Sequence, residues 1–197
     1  MKKKGIIISV ISSALMFLFA AGMIIGIAVE SKRNTRFIHI NFKLEESVSD
    51  EQTKYTFIDQ KYANYICQLA PELGIDPDLV VAHLMVENPE FNTQAIHKNE
   101  NGTVDIGLGQ LNSAYIWSTF KKSYWNFDTE LDPFNWKHNL YIMMRHIEYL
   151  SRSLKVTDDV IMAYNCGVGN VINHTIPEST KAYLSRVKNN LILLKSL

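Results

Sequence analysis

Glu87 is the residue with the most chemistry within reach. It closes the stretch Leu79-Val80-Val81-Ala82-His83-Leu84-Met85-Val86-Glu87, and Leu84, His83 and Val80 share its face if the stretch is helical. A carboxyl on an apolar face is desolvated, and desolvation raises its pKa. Such a group keeps its proton near neutral pH, as an acid that protonates a leaving glycosidic oxygen must. Helical spacing does not itself bury a side chain, so a helix-end Glu pointing into water is the competing reading. His83 stands four residues before Glu87, either as its partner or as a histidine satisfied within the core. Asp105 is a second carboxylate. Facing a scissile bond, it would complete the pair of a retaining hydrolase, whose carboxyls lie ~5 Å apart. Turned away, it would only bond the hairpin backbone. No His-Glu-x-x-His motif and no Cys/His cluster occurs, so neither a metal nor a cofactor is expected.

The elements that must position these groups are mainly helical. Ile58, Tyr62, Tyr65, Ile66 and Leu69 recur at helical spacing, and Gly74 suits a helix end. Asp76-Pro77 reads as an N-cap followed by Pro at the first helical position, and the helix it opens should stop at about Glu87, before Pro89. Asn101-Gly102, between Ala95-Ile96 and Val104–Ile106, is a hairpin signal. Further helices are expected over Ser113–Lys121, Trp136–Leu154, Asp158–Asn165 and Ser179–Leu194. The expected fold is mainly α with one small β-hairpin.

The chain has 197 residues, room for one domain and an appendage. Of 20 basic and 20 acidic residues, the first 36 positions hold six basic and one acidic, which leaves 14 against 19 and a formal charge of −5 on the remainder. A mildly acidic domain is a poor nucleic-acid binder, because that binding depends on Lys and Arg neutralising phosphates. Cys67 and Cys166 are expected to be two small buried residues on separate elements, although an extracytoplasmic domain would permit a disulfide.

Lys2, Lys3 and Lys4 precede an uncharged, mostly apolar run from Gly5 to Val29. A helix of about 20 apolar residues spans the hydrocarbon, and this run exceeds the core of a cleavable signal peptide. Residues 1–30 are therefore expected to form a transmembrane signal anchor with its N-terminus inside the cell. Lys32, Arg33 and Arg36 weigh against that orientation, and Gly26 and Ala28 leave cleavage open. Residues 31–56 read as a polar juxtamembrane spacer with a short strand signal at Ile38, Ile40, Phe42 and Leu44. Residues 57–197 form the remaining domain.

Four sequence pieces in order resemble a known family. Glu87 is followed by Phe91-Asn92-Thr93-Gln94-Ala95, then by Gly102-Thr103-Val104-Asp105-Ile106-Gly107-Leu108-Gly109-Gln110-Leu111-Asn112. Ala163-Tyr164-Asn165-Cys166-Gly167 and Ile176-Pro177-Glu178-Ser179-Thr180 with Tyr183 come after. This order resembles the lysozyme-like lytic transglycosylases of the soluble-lytic-transglycosylase type, over roughly Phe57 to Leu194. Within them the likeness is greatest to the small members that accompany secretion and conjugation systems. The central stretch is also similar to c-type lysozymes, which lack the Ala-Tyr-Asn motif.

The resemblance implies a lysozyme-like fold and a peptidoglycan substrate. It gives Glu87 the role of catalytic acid and base at the bond between N-acetylmuramic acid and N-acetylglucosamine, with a 1,6-anhydro ring as product. Gln110 and Gly107 would line the sugar cleft, Asn165 would bond a sugar N-acetyl group, and Tyr183 would orient the Glu87 carboxyl. For each, an ordinary role competes: a capping amide, a turn glycine, a core aromatic. Tyr164 is expected in the core. A hydrolytic muramidase using Glu87 and Asp105 is the alternative enzyme, and a non-catalytic peptidoglycan-binding protein of an envelope machine is the third reading. The implied location is the cytoplasmic membrane, with the domain on its periplasmic or extracellular side. Asn88-Pro89 replaces the Ser that usually follows the glutamate, and Phe91 lies one residue farther on than in the family, an insertion expected to shift the hairpin. Gly109 replaces a Met and is expected to leave a gap beside the sugar.

Overall fold

The computed structural model describes residues 51–118 and 131–197. The apolar run Gly5–Val29, the strand signal at Ile38–Leu44, most of the 31–56 spacer and the end of the expected 113–121 helix lie outside the described residues. Among the described residues no helix is long and apolar enough to cross a membrane.

Helix α1 spans Gln60–Glu72, opened by the Asp59 carboxylate accepting from the Lys61 N–H at 3.1 Å. Gly74 follows in the left-handed region at φ +69°, where a side chain would be strained. The chain then enters α2, Pro77–Glu87, where Asp76 accepts from the Asp78 N–H at 2.9 Å and Pro77 fixes the first turn. Val80, Val81, Ala82, His83 and Leu84 are all buried, so α2 is enclosed on every side rather than amphipathic. The last turn, Met85 to Glu87, emerges half-buried from that enclosure, so Glu87 sits at the edge of the core.

The expected hairpin is present and gains a partner. Strand β1 (Ile96–Lys98) pairs antiparallel with β2 (Val104–Ile106), and β2 pairs with a two-residue β3 (Leu111–Asn112). Asp105 lies opposite His97 on one side and Asn112 on the other. The sheet thus has three strands, not two. The third forms because Gly107 (φ +74°) and Gln110 (φ +45°) reverse the chain within four residues, bringing buried Leu111 back beside Ile106. Two residues carry no readable alternation. A π-helical turn, Ser113–Trp117, follows, with the Asn112 side chain accepting from Ala114 and Tyr115 N–H. The described part of the expected 113–121 α-helix is therefore a wider coil.

Helix α3 (Trp136–Ser153) is capped by Asn135 and buries Leu140, Met143, Met144, Ile147 and Leu150. Helix α4 (Thr157–Cys166) ends at Gly167, φ +84°, and runs into a five-residue α5 (Val168–Ile172), too short for a periodic signal. Helix α6 (Glu178–Leu194) packs along α2 and closes the domain. Residues 53–55, in the stretch assigned to the spacer, are bound to these helices. Tyr55 is buried and donates to Asp78 Oδ1 at 2.6 Å, while Lys54 Nζ pairs with the same oxygen at 2.8 Å and donates to the Leu194 carbonyl. Cys67 on α1 and Cys166 on α4 are unpaired, and both are half-buried rather than buried.

Candidate active site

Three helices converge on Glu87. Tyr183, on α6, donates its O–H to Glu87 Oε1 at 2.6 Å. His83, one turn back on α2, meets Glu87 only through that phenol, its Nδ1 standing 2.7 Å from the Tyr183 Oη. It is a core histidine, not a direct partner of the carboxyl. Tyr164 on α4 is a core residue, its O–H bonded to the Gly109 carbonyl at 2.8 Å. Burial pushes the Glu87 carboxyl up to about 7, with the Asp105 charge adding to it. The Tyr183 hydrogen bond and the nearby Arg186 act against that rise without reversing it. Glu87 is therefore not splayed into water, and near neutral pH a large share of the molecules hold its proton.

Opposite the end of α2 lies the turn Gly107–Gln110. Gly107 N–H donates to the Ala95 carbonyl, and the Gly107 carbonyl accepts from Gln110 Nε2 at 2.8 Å. A side chain at Gly107 would collide with the Asn139 amide and lie 2.7 Å from the Pro133 carbonyl, so only glycine fits. Buried Asn139 of α3 is the peg of this turn. Its Nδ2 donates to the Ile106 and Pro133 carbonyls, both at 2.9 Å, and its Oδ1 accepts from Gly109 N–H at 2.8 Å. Gly109 leaves no gap. A Cβ there would stand 2.9 Å from Met143 Sδ, so a methionine from α3 fills the room that a side chain at 109 would take.

The departures after Glu87 also have a physical account. Phe91 adopts φ +51° and its N–H bonds the Asn88 carbonyl, so a tight turn takes up the extra residue. Asn88 clips that turn with both ends of its amide: Oδ1 accepts from Asn92 N–H at 3.0 Å and Nδ2 donates to the Asn92 carbonyl at 2.7 Å. The same Nδ2 reaches the Gly107 carbonyl at 3.3 Å, tying the residue beside Glu87 to the opposite turn.

Asp105 is held by the side chains of Asn112 on β3 and of Asn99 in the hairpin loop, not by the hairpin backbone. Oδ1 accepts from Asn112 Nδ2 at 2.7 Å and Oδ2 from Asn99 Nδ2 at 3.0 Å. Asn165 lies exposed near the end of α4, with its Oδ1 accepting from buried Thr180 Oγ1 at 2.7 Å, which turns its NH₂ outward. Thr180 and Tyr183 sit three apart on α6, so one face of that helix steadies both Asn165 and Glu87. Asn139, Thr180, Asn112 and Arg186 carry no role in the sequence reading. A polar residue inside an apolar periodic run, such as Asn139 just before Leu140, was the available signal, since a buried amide needs partners.

Residues 64–184 match the transglycosylase SLT domain. The match covers more than half of the chain and every candidate residue, and the chain belongs to that family. Among solved structures, an inactive glutamate-to-glutamine mutant of the lytic transglycosylase Slt from Pseudomonas aeruginosa is similar in fold, with a TM-score of 0.54 at 16% identity. The similarity covers 66% of this chain and 23% of that one, so the chain corresponds to under a quarter of that protein. No curated protein matches the chain.

Proposed function

We propose that this chain cleaves peptidoglycan glycan strands as a lytic transglycosylase, with Glu87 as its single acid and base. The observation that carries the reading is the Glu87 carboxyl, enclosed among α2, α4 and α6, bonded by Tyr183 and pushed up to about 7. Glu87 gives its proton to the oxygen between N-acetylmuramic acid and N-acetylglucosamine, and that bond breaks. The carboxylate then takes the proton of the muramic C6 hydroxyl, whose oxygen bonds C1 and closes the 1,6-anhydro ring. The proton returns to Glu87 and no water is consumed. Acid–base help of this kind supplies roughly 10²- to 10⁴-fold. Gln110 and Gly107 line the cleft in this reading, and the outward NH₂ of Asn165 bonds a sugar N-acetyl oxygen, which orients the strand. The engagement of both Asp105 oxygens by Asn112 and Asn99 favours a supporting role for Asp105 over that of a hydrolase nucleophile.

The location is part of the proposal. Residues 1–30 anchor the chain in the cytoplasmic membrane, residues 31 to 52 link, and the domain, which takes in residues 53–55 of the expected spacer, acts on the wall from the periplasmic or extracellular side. Lys2–Lys4 ahead of Gly5–Val29 support the anchor. An envelope-spanning secretion or conjugation machine is the proposed partner, on family likeness alone.

Digestion of purified sacculi followed by mass spectrometry tests the reaction. Wild type is expected to release anhydromuropeptides, lighter by one water than hydrolysed ends, and Glu87→Gln to release none while remaining folded. Reducing ends as the main product would make the chain a muramidase. Binding without release by wild type would make it a wall-binding protein.

A further inference from the structure

Behind the Glu87 carboxyl lies a histidine that the proposed reaction leaves unused. His83 is 0% exposed. Its ring packs on Tyr164 of α4 at a centroid distance of 4.6 Å and on Tyr183 of α6 at 5.8 Å, and its Nε2 is buried without a hydrogen-bond partner. His146 of α3 reaches the same cluster through Tyr164. Around Glu87 itself stand Tyr183 and Arg186 of α6, Tyr164 of α4 and Asp105 of β2.

The imidazole in this pocket is neutral, since burial and then His146 bring it down to about 3. A neutral ring carries one N–H. On Nε2 that proton would be a stranded donor in an apolar pocket. On Nδ1 it has the Tyr183 oxygen 2.7 Å away and leaves only an acceptor unfilled, and stranded buried donors are the rarer and costlier defect. The Tyr183 oxygen thus accepts from behind, and its own proton points forward to Glu87 Oε1. That oxygen is an acceptor whether Glu87 is charged or neutral. The acidic proton belongs on Oε2, which has no partner among the described residues.

We propose that His83 is a positioning residue that, through Tyr183, fixes Oε2 as the oxygen of Glu87 that loses and regains the catalytic proton. The proposal rests on the reading of Glu87 as acid and base. Within it, Oε2 gives its proton to the leaving oxygen and takes back the C6 hydroxyl proton, and the line His83–Tyr183–Oε1 stays unchanged. Without the Nδ1 proton behind it, the phenol can turn its O–H away, and the acidic proton can settle on Oε1, facing the phenol.

The test compares wild type with His83→Leu, His83→Asn and Glu87→Gln on the full chain, measuring kcat, KM and the pH profile on sacculi. His83→Leu is expected to lower kcat about tenfold with KM little changed. It should also move the alkaline limb to higher pH, because Tyr183 becomes a weaker donor to the carboxylate. His83→Asn, with an amide donor where Nδ1 stood, should restore both. A folded His83→Leu variant with the wild-type pH profile overturns the proposal, whether or not its kcat falls. Activity surviving Glu87→Gln overturns the underlying reading instead. Should His83→Leu not fold, ¹⁵N shifts of the wild-type ring decide. A proton on Nδ1 and none on Nε2 from about pH 5 to about pH 9 is expected, whereas a proton on Nε2, or titration near the ordinary 6.5, overturns it.

Discussion

Asp105 contributes to Glu87 by charge, and the sign of that contribution makes a prediction. Its carboxylate raises the Glu87 pKa, so Asp105→Asn should bring the alkaline limb of the pH–activity profile to lower pH. Activity below that limb should stay within about tenfold of wild type, far from the loss expected of a missing nucleophile. Tyr183→Phe acts in the opposite direction. The phenol hydrogen bond lowers the Glu87 pKa, so its removal should push the limb to higher pH while kcat falls about tenfold. A pH profile of each variant on sacculi checks both signs.

At the scale of elements, the cleft-side turn hangs on one amide. Asn139→Leu would leave Gly109 N–H and the Ile106 and Pro133 carbonyls without their partner, and should cost about 2–4 kcal/mol, read as a lower urea midpoint. The sequence made α2 legible, because Asp76-Pro77 opens it and Asn88-Pro89 closes it. It made the β1–β2 hairpin legible through Asn101-Gly102. It could not disclose β3, whose two residues are brought back beside β2 by a turn that Asn139 pegs from across the domain. Nor could it disclose that Met143 fills the space beside Gly109, since that contact joins positions far apart in sequence. Glu87 was legible as a candidate and its burial was not, because burial is conferred by α4 and α6. The pairing of Tyr183 with Glu87 came from family likeness; His83 was legible as a core histidine, and its contact with the Tyr183 phenol came from packing alone.

For the molecule as a whole, buried titratable groups set opposing slopes of stability against pH. Glu87 has a folded value of about 7 against an ordinary 4.5, so the native state holds the extra proton in that window and stability falls as pH rises through it. Glu87→Gln should therefore be the more stable protein above pH 7, by on the order of 2 kcal/mol. His83, at about 3, and His146, at about 4, act the other way. The unfolded chain binds their protons first, so their contribution is lost as pH falls below 6.5. Urea midpoints at a series of pH values on wild type and Glu87→Gln separate the two slopes.

One property of Glu87 underlies the whole account, and it can be read directly. The ¹³Cδ resonance of Glu87, assigned by its disappearance in Glu87→Gln, should titrate with a midpoint near 7 in the folded chain. A midpoint at the ordinary 4.5 would mean a carboxyl already ionised at neutral pH, and an acid without a proton cannot start the cleavage described here.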